Sequence, residues 1–116
     1  MHPNKNIIVP RILHFVPGFR FGGVESLLMG LYRNIDKLTL QFDFMVDTLD
    51  NLPEFDEIRS TGGRVFQMGR YLDAPLRFQN LTHDILDKHS HEYLALHSHE
   101  VTRSLPVLWA ARRYGI

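Results

Sequence analysis

Apolar residues along the chain alternate between short continuous runs and longer segments with helical spacing. The run over 12–16 predicts a strand buried on both faces of a parallel sheet, and the spacing of Leu27, Leu28, Leu31, Tyr32 and Ile35 predicts the apolar stripe of a helix starting near Val24. The same criteria predict further strands over 41–46, 64–68 and 93–97, and further helices over 54–61, 75–89 and 101–114.

Strands that alternate with helices are typical of an α/β protein with a doubly wound, Rossmann-like parallel sheet. Right-handed crossovers favour the spatial strand order 3-2-1-4. In that order the winding reverses between strands one and four, and ligands of such sheets bind outside the carboxyl ends of the strands at this switch point. The loops at 17–23 and 97–100 should meet there. Gly115 is predicted to cap the last helix and Ile116 to begin another strand.

The first strand and first helix are joined by a turn that contains Gly18, Gly22 and Gly23. The unpaired N–H groups at a helix start favour a phosphate, and glycine lets a ligand approach the backbone closely. A turn that is merely tight explains the glycines equally well. Neither the P-loop pattern nor Gly-x-Gly-x-x-Gly is present, so an anion site and a simple turn both stay open.

The segment His97-Ser98-His99-Glu100 is predicted to place two imidazoles on one face at the end of strand four. A neutral imidazole there could orient a polar substrate, although a packed, hydrogen-bonded histidine is an equal alternative for His97. No clear third or fourth ligand stands at motif spacing, which argues against a metal site. His14, inside strand one, is predicted to be structural. Asp47 could hold a ribose, but without the glycine fingerprint a loop-starting aspartate is the default.

Composition narrows the function classes further. The 116 residues, 44% of them hydrophobic, are enough for one domain with a substantial core. Thirteen basic residues balance thirteen acidic ones without clustering, which argues against a nucleic-acid partner. The absence of cysteine fits a reducing compartment. Residues 1–10 form a polar arm, and its apolar patch is too short for the core of a signal peptide. We therefore expect a cytoplasmic protein.

Four stretches in order resemble the N-terminal domain of glycosyltransferase family 4, a retaining family of the GT-B fold. They are RILHFVPGFRFGGVESLLMGLYRNID, FDFMVDT, FDEIRSTGGRVFQM and YLALHSHEVTRSLPVLWAARRYGI, which together cover nearly the whole chain from Arg11. The Gly-Gly-Val-Glu turn and the His-Ser-His-Glu segment are short individually, but in this order they form a fairly specific combination.

The resemblance implies transfer of a sugar from a nucleotide-diphosphate donor to a polysaccharide or lipid-linked acceptor in cell-surface glycan synthesis, with retention. It assigns contact with the donor diphosphate to Gly22, Gly23 and Val24, and contact with the reacting sugars to His99 first and His97 second. It implies no cofactor beyond the donor substrate. Peripheral attachment to the inner face of the membrane is left open.

The sequence also departs from the family pattern. The second domain, which binds most of the nucleotide, is absent, so residues 11–116 are interpreted as a truncated acceptor-side domain that should not turn over alone. Two alternatives remain: a non-catalytic nucleotide- or flavin-binding module of flavodoxin-like form, and an interaction domain whose missing strands a partner supplies.

Overall fold

The computed structural model describes residues 8–19, 23–99 and 105–116. In this part of the chain, four parallel strands form one sheet in the order β3-β2-β1-β4, which confirms the predicted α/β fold and strand order. Residues 1–7 of the predicted arm and 101–104 of the predicted last helix lie outside the described residues. The elements in chain order are β1 (Arg11–Val16), α1 (Gly23–Asn34), β2 (Gln41–Val46), α2 (Pro53–Ser60), β3 (Arg64–Gln67), α3 (Pro75–His89), a 3₁₀ turn (Ser90–Glu92), β4 (Tyr93–Ser98) and α4 (Leu105–Arg113).

Proline and glycine set the helix boundaries. Pro53 and Pro75 occupy the first helical positions of α2 and α3, where a missing N–H costs nothing. The α2 helix ends at Ser60, and the chain turns at Gly62, whose φ of +97° is accessible to glycine. The Gly63 N–H donates back to the Ile58 carbonyl at 3.0 Å. The Gly62-Gly63 pair directly after the predicted helix predicts such a glycine cap, and the structure confirms it.

The chain end closes in the same way. Gly115 has φ +79°, and the amide of Ile116 donates to the carbonyl of Ala111 at 3.1 Å. The predicted cap is confirmed, and Ile116 packs against the core. The strand that Ile116 is predicted to begin stays a prediction.

Two cores lie on opposite faces of the sheet, as the alternation of side chains along a strand requires. On one face α1 and α2 cover β1 and β2; the buried residues are Val16, Phe19, Leu28, Met29, Tyr32, Phe42, Phe44, Val46, Phe55, Ile58 and Val65. On the other face α3 and α4 lie against Leu13, Phe15, Met45, Met68, Phe78, Ile85, Leu86, Tyr93, Val107, Ala110 and Ala111. None of the helices in the described residues is both long enough and apolar enough to span a membrane.

The burial of α1 and β2 differs from the periodicity that predicted them. Leu27 and Leu31 are 77% and 52% exposed, and α1 instead buries Leu28, Met29 and Tyr32, a stripe rotated by about one residue position. All six residues of β2 are buried although the sequence alternates, because β2 lies between β1 and β3 with helices on both faces.

Asp43, in the middle of β2, is fully buried in a polar network near the amino ends of the strands. Its carboxylate pairs with the guanidinium groups of Arg11 and Arg64 and accepts a 2.6 Å hydrogen bond from the hydroxyl of Tyr93. Arg64 also pairs with Glu92 at 3.0 Å. Burial and the Asp43 carboxylate raise the pKa of Tyr93, so the phenol keeps its proton and remains a donor. This network joins β1, β2, β3 and β4 at the edge opposite the predicted ligand site.

Candidate functional site

Three histidines meet near the carboxyl ends of β1 and β4, the two strands between which the winding of the sheet reverses. His14 of β1 lies directly beside His97 of β4 in the parallel register. The amide of His99 donates to the carbonyl of Phe15 at 3.0 Å, so the ladder continues one residue past β4. Since side chains two residues apart share a face of a strand, His99 lies on the same side of the sheet as His97 and His14.

The three imidazoles form a compact group, which we call the histidine cluster (His14, His97 and His99). Their ring centroids are 5.5 Å apart for His14 and His97, 5.2 Å for His14 and His99, and 4.1 Å for His97 and His99. Nδ1 of His14 lies 3.0 Å from Nε2 of His99. His14 is only 3% exposed, whereas His97 is exposed and His99 is half-buried. The cluster therefore extends from the buried ring of His14 to the protein surface.

The buried member of the cluster is held by aromatic rings. The ring of His14 meets Phe42 edge-on at 4.2 Å and stacks over Phe44 at 5.7 Å. Its Nε2 atom is buried without a hydrogen-bond partner in the described part of the chain. An unsatisfied polar atom of this kind costs about 1–3 kcal/mol, a cost that an apolar residue would avoid. The burial, ring packing and Nδ1 contact of His14 agree with the predicted structural histidine. The orphaned Nε2 shows in addition that packing alone does not explain an imidazole at this position.

Burial keeps the two less exposed members of the cluster, His14 and His99, uncharged near pH 7. Burial, followed by the nearby His99 and His97, lowers the pKa of His14 to about 3. Burial and then His97 also lower the pKa of His99. Neutral imidazoles offer one donor and one acceptor each, so the cluster can orient hydroxyl groups, accept a proton or present lone pairs to a cation.

Acidification below about pH 6.5 is expected to destabilise the fold through His14. In the unfolded chain its pKa takes the ordinary value of 6.5, and in the folded chain the value is about 3. Between these values the unfolded state binds more protons, so the free energy of unfolding falls as the pH falls, by at most about 1.4 kcal/mol per unit. Urea unfolding with EDTA present, from about pH 7.5 to about pH 5, should show a shallower loss in His14→Leu than in the wild type. Equal slopes would contradict this assignment.

The glycine turn precedes α1 at the same edge of the sheet. Helix α1 begins at Gly23, and Val24 lies in its first turn with its side chain partly exposed. A Cβ atom built on Gly23 would meet no atom within 4 Å among the described residues, so the space beside it is open. Gly22 lies outside the described residues. The structure therefore shows Gly23 and Val24 at a helix start, where amide groups lack intrahelical partners.

Asp47 links the two loops that leave β1 and β2. Its carboxylate accepts a hydrogen bond from the amide of Gly18 at 2.8 Å, and Gly18 has φ +69°. This contact gives Asp47 a structural role in holding the turn after β1, in line with the default interpretation of a loop-starting aspartate.

A pocket lies on the opposite face of the sheet, which α3 and α4 cover. It has a volume of about 550 Å³ and is mostly apolar, with Phe15, Tyr71, Phe78 and Leu105 in its walls and Arg70 among its polar groups. Sequence reasoning placed Arg70 and Tyr71 in a loop and assigned them no role. A cation and an aromatic ring directly after the carboxyl end of a strand were the available signal.

Comparison with known proteins supports a transferase. The chain is 34% identical over 107 residues to "Putative glycosyltransferase EpsF" of Bacillus subtilis (strain 168); the match covers 91% of this chain and 28% of that protein. The chain is thus similar to a glycosyltransferase over nearly its whole length, and it spans less than a third of this relative. No family model matches the chain, and no solved structure matches it.

Of the residues predicted for the site, His97 and His99 lie together and Gly23 and Val24 lie at the start of α1. The structure adds His14 to the predicted site residues; the sequence analysis placed this residue inside strand one and gave it a structural role. The signal in the sequence was weak, because His14 and His97 are 83 positions apart and only the pairing of β1 with β4 makes them neighbours.

Proposed function

We propose that this chain is part of a retaining glycosyltransferase of family 4 that transfers a sugar from a nucleotide-diphosphate donor to a glycan or lipid-linked acceptor. The observation that carries the proposal is the 34% identity to a protein named as a glycosyltransferase over 91% of this chain. The sheet order supports it, because a crevice at the reversal of winding is where α/β proteins bind nucleotides. The proposal places the enzyme in the cytoplasm, with any membrane contact peripheral.

In this proposal the start of α1 binds the donor diphosphate. The amides of Gly23 and Val24 lie in the first turn of a helix of 12 residues, which carries partial positive charge at this end. We assign Gly22 the same role from the resemblance. As the bond between the anomeric carbon and the diphosphate breaks, the diphosphate departs with the electron pair and gains negative charge, which such amides stabilise.

The histidine cluster is proposed to face the reacting sugars. His99 is the first candidate, because its ring is half-buried and its Nε2 is held 3.0 Å from Nδ1 of buried His14. His97 is the second, and its exposure leaves it accessible to a substrate. A neutral imidazole that accepts from one hydroxyl and donates to another would position the acceptor oxygen as it replaces the diphosphate and passes its proton to an oxygen of the departing diphosphate.

The donor-binding part of the proposal is tested with Gly23→Val in the full gene product that contains this chain, assayed with a panel of radiolabelled nucleotide sugars. We expect transfer from one donor, and a decrease of about tenfold or more in turnover in the variant, because the added side chain would occupy space against the diphosphate. The matched control is Gly30→Val in the same helix. Its Cβ also meets no atom within 4 Å, but Gly30 lies away from the helix start, so its turnover should stay near the wild-type value.

Three results would contradict the proposal. If the full gene product uses none of the nucleotide sugars, the assignment of transferase activity is wrong. Equal turnover of Gly23→Val and the wild type would remove the glycine turn from the mechanism. A His99→Gln variant with wild-type turnover would remove the histidine cluster, since glutamine keeps a polar group but not the imidazole.

A further inference from the structure

We infer that the histidine cluster (His14, His97 and His99) is a binding site for one divalent transition-metal cation of the Zn²⁺ type. The sequence argued against a metal because no third ligand stood near His97 and His99. The pairing of β1 with β4 supplies that ligand from His14. The inference goes beyond the proposed function; it concerns the same imidazoles, but its test measures metal binding and needs no transferase activity.

The distances within the cluster are close to those of a three-histidine site. One ring nitrogen of each histidine lies within 4.8 Å of the other two, and the His14 Nδ1 to His99 Nε2 separation is 3.0 Å. Nitrogens bound to a tetrahedral zinc at about 2.0–2.1 Å lie about 3.4 Å apart. The His14–His99 pair therefore needs only a small adjustment, whereas the third nitrogen has to come closer through a movement of the exposed ring of His97.

The chemistry of the ligand atoms selects the cation. Within the part of the chain that the structure describes, the group consists of three imidazoles without a carboxylate. Imidazole suits Zn²⁺, Ni²⁺, Co²⁺ and Cu²⁺, whereas Mg²⁺ and Ca²⁺ require oxygen ligands. Three protein ligands leave a fourth tetrahedral position, and the exposure of His97 makes that position accessible to water or a small ligand.

The aromatic rings packed around His14 strengthen the inference. His14 is buried against Phe42 and Phe44 with Nε2 unsatisfied, so an imidazole is kept at a position where packing would favour an apolar side chain. The opposite nitrogen, Nδ1, faces His99. A cation held between Nδ1 of His14 and Nε2 of His99 gives this ring a role that its burial does not explain.

The test is calorimetric titration of the untagged chain, previously treated with EDTA and dialysed, with Zn²⁺ alone. We expect one Zn²⁺ per chain, at least about tenfold weaker binding in His99→Gln and in His97→Gln, and loss of the site in the double variant. Both positions are at least partly exposed, so these variants should fold, which circular dichroism checks. The control is His91→Gln, an exposed histidine of the 3₁₀ turn before β4, which should bind Zn²⁺ like the wild type. Titration with Co²⁺ gives a second readout, the visible absorption of a four-coordinate ion.

The outcomes separate this inference from the proposed function, because no nucleotide sugar is present in the titration. Absence of Zn²⁺ binding by the wild type would overturn the metal site and leave the transferase proposal unaffected. Retention of the stoichiometric site in the His97→Gln/His99→Gln double variant, or equal binding of Mg²⁺, would also overturn it.

Discussion

Replacement of Asp43 by asparagine is expected to lower the free energy of unfolding by about 3–5 kcal/mol, the usual cost of removing one partner from a buried ion pair. The side chain is fully buried and serves two guanidinium groups, those of Arg11 and Arg64, and the hydroxyl of Tyr93. An amide removes the negative charge and leaves both cations with Glu92 as the remaining anion of the network. Urea unfolding at neutral pH measures the change.

The matched control for this prediction is Glu57→Gln. Glu57 also pairs with an arginine, through hydrogen bonds of 2.6 and 2.7 Å from Arg33, but both side chains of that pair are exposed. Solvent screens such a pair, so the expected loss is far smaller than that in Asp43→Asn. A loss in Asp43→Asn as small as that in Glu57→Gln would show that the buried network does not hold the strands together.

Replacement of Gly63 by alanine is expected to destabilise the chain by about 3 kcal/mol, near the upper end for overpacking a core. The added Cβ would lie 2.5 Å from Cγ2 of Ile58, 2.8 Å from the hydroxyl oxygen of Tyr32 and 2.9 Å from the backbone carbonyl oxygen of Phe42. The Tyr32 hydroxyl is itself held by Thr61 at 2.8 Å. Because one of these atoms belongs to the backbone of the central strand β2, a side-chain rotation cannot relieve the contact.

Gly30→Ala is the control for this substitution and should have the opposite sign. Gly30 lies inside α1, and a Cβ there meets no atom within 4 Å in the described chain. Alanine is favoured over glycine in a helix interior by about 1 kcal/mol, so thermal and urea unfolding should show a small gain. Destabilisation of both variants by similar amounts would contradict the assignment of a specific steric conflict at Gly63.

The predictions from sequence succeeded where the signal is local. The alternation of apolar runs and helical stripes located the four strands and the first three helices to within a residue or two at most of their ends, and right-handed crossovers led to the observed strand order. The glycine cap of α2 followed from Gly62 and Gly63 alone, because a left-handed turn at a helix end selects glycine. Partial failures occurred in α1, where Leu27 and Leu31 are exposed. Periodicity identifies an amphipathic helix, but its contact with the sheet decides which edge of the stripe is buried.

The candidate site was predictable only in part. His97 and His99 could be paired from the sequence because they are two residues apart on one strand, and the pleat of a strand puts such residues on the same face. The glycine turn could be recognised as a helix start but not as an anion site, since the same residues make a tight turn without a ligand.

By itself, the sequence determined the elements, the α/β class and the switch point of this protein, because hydrophobic period, caps and crossover handedness act over short stretches of chain. The tertiary structure alone decided that His14 joins His97 and His99, and that Asp43 of an apparently ordinary strand becomes the buried centre of an ion network. Both groups bring together residues more than 20 positions apart. Their contacts depend on strand register and on the burial of each face, which no local pattern encodes.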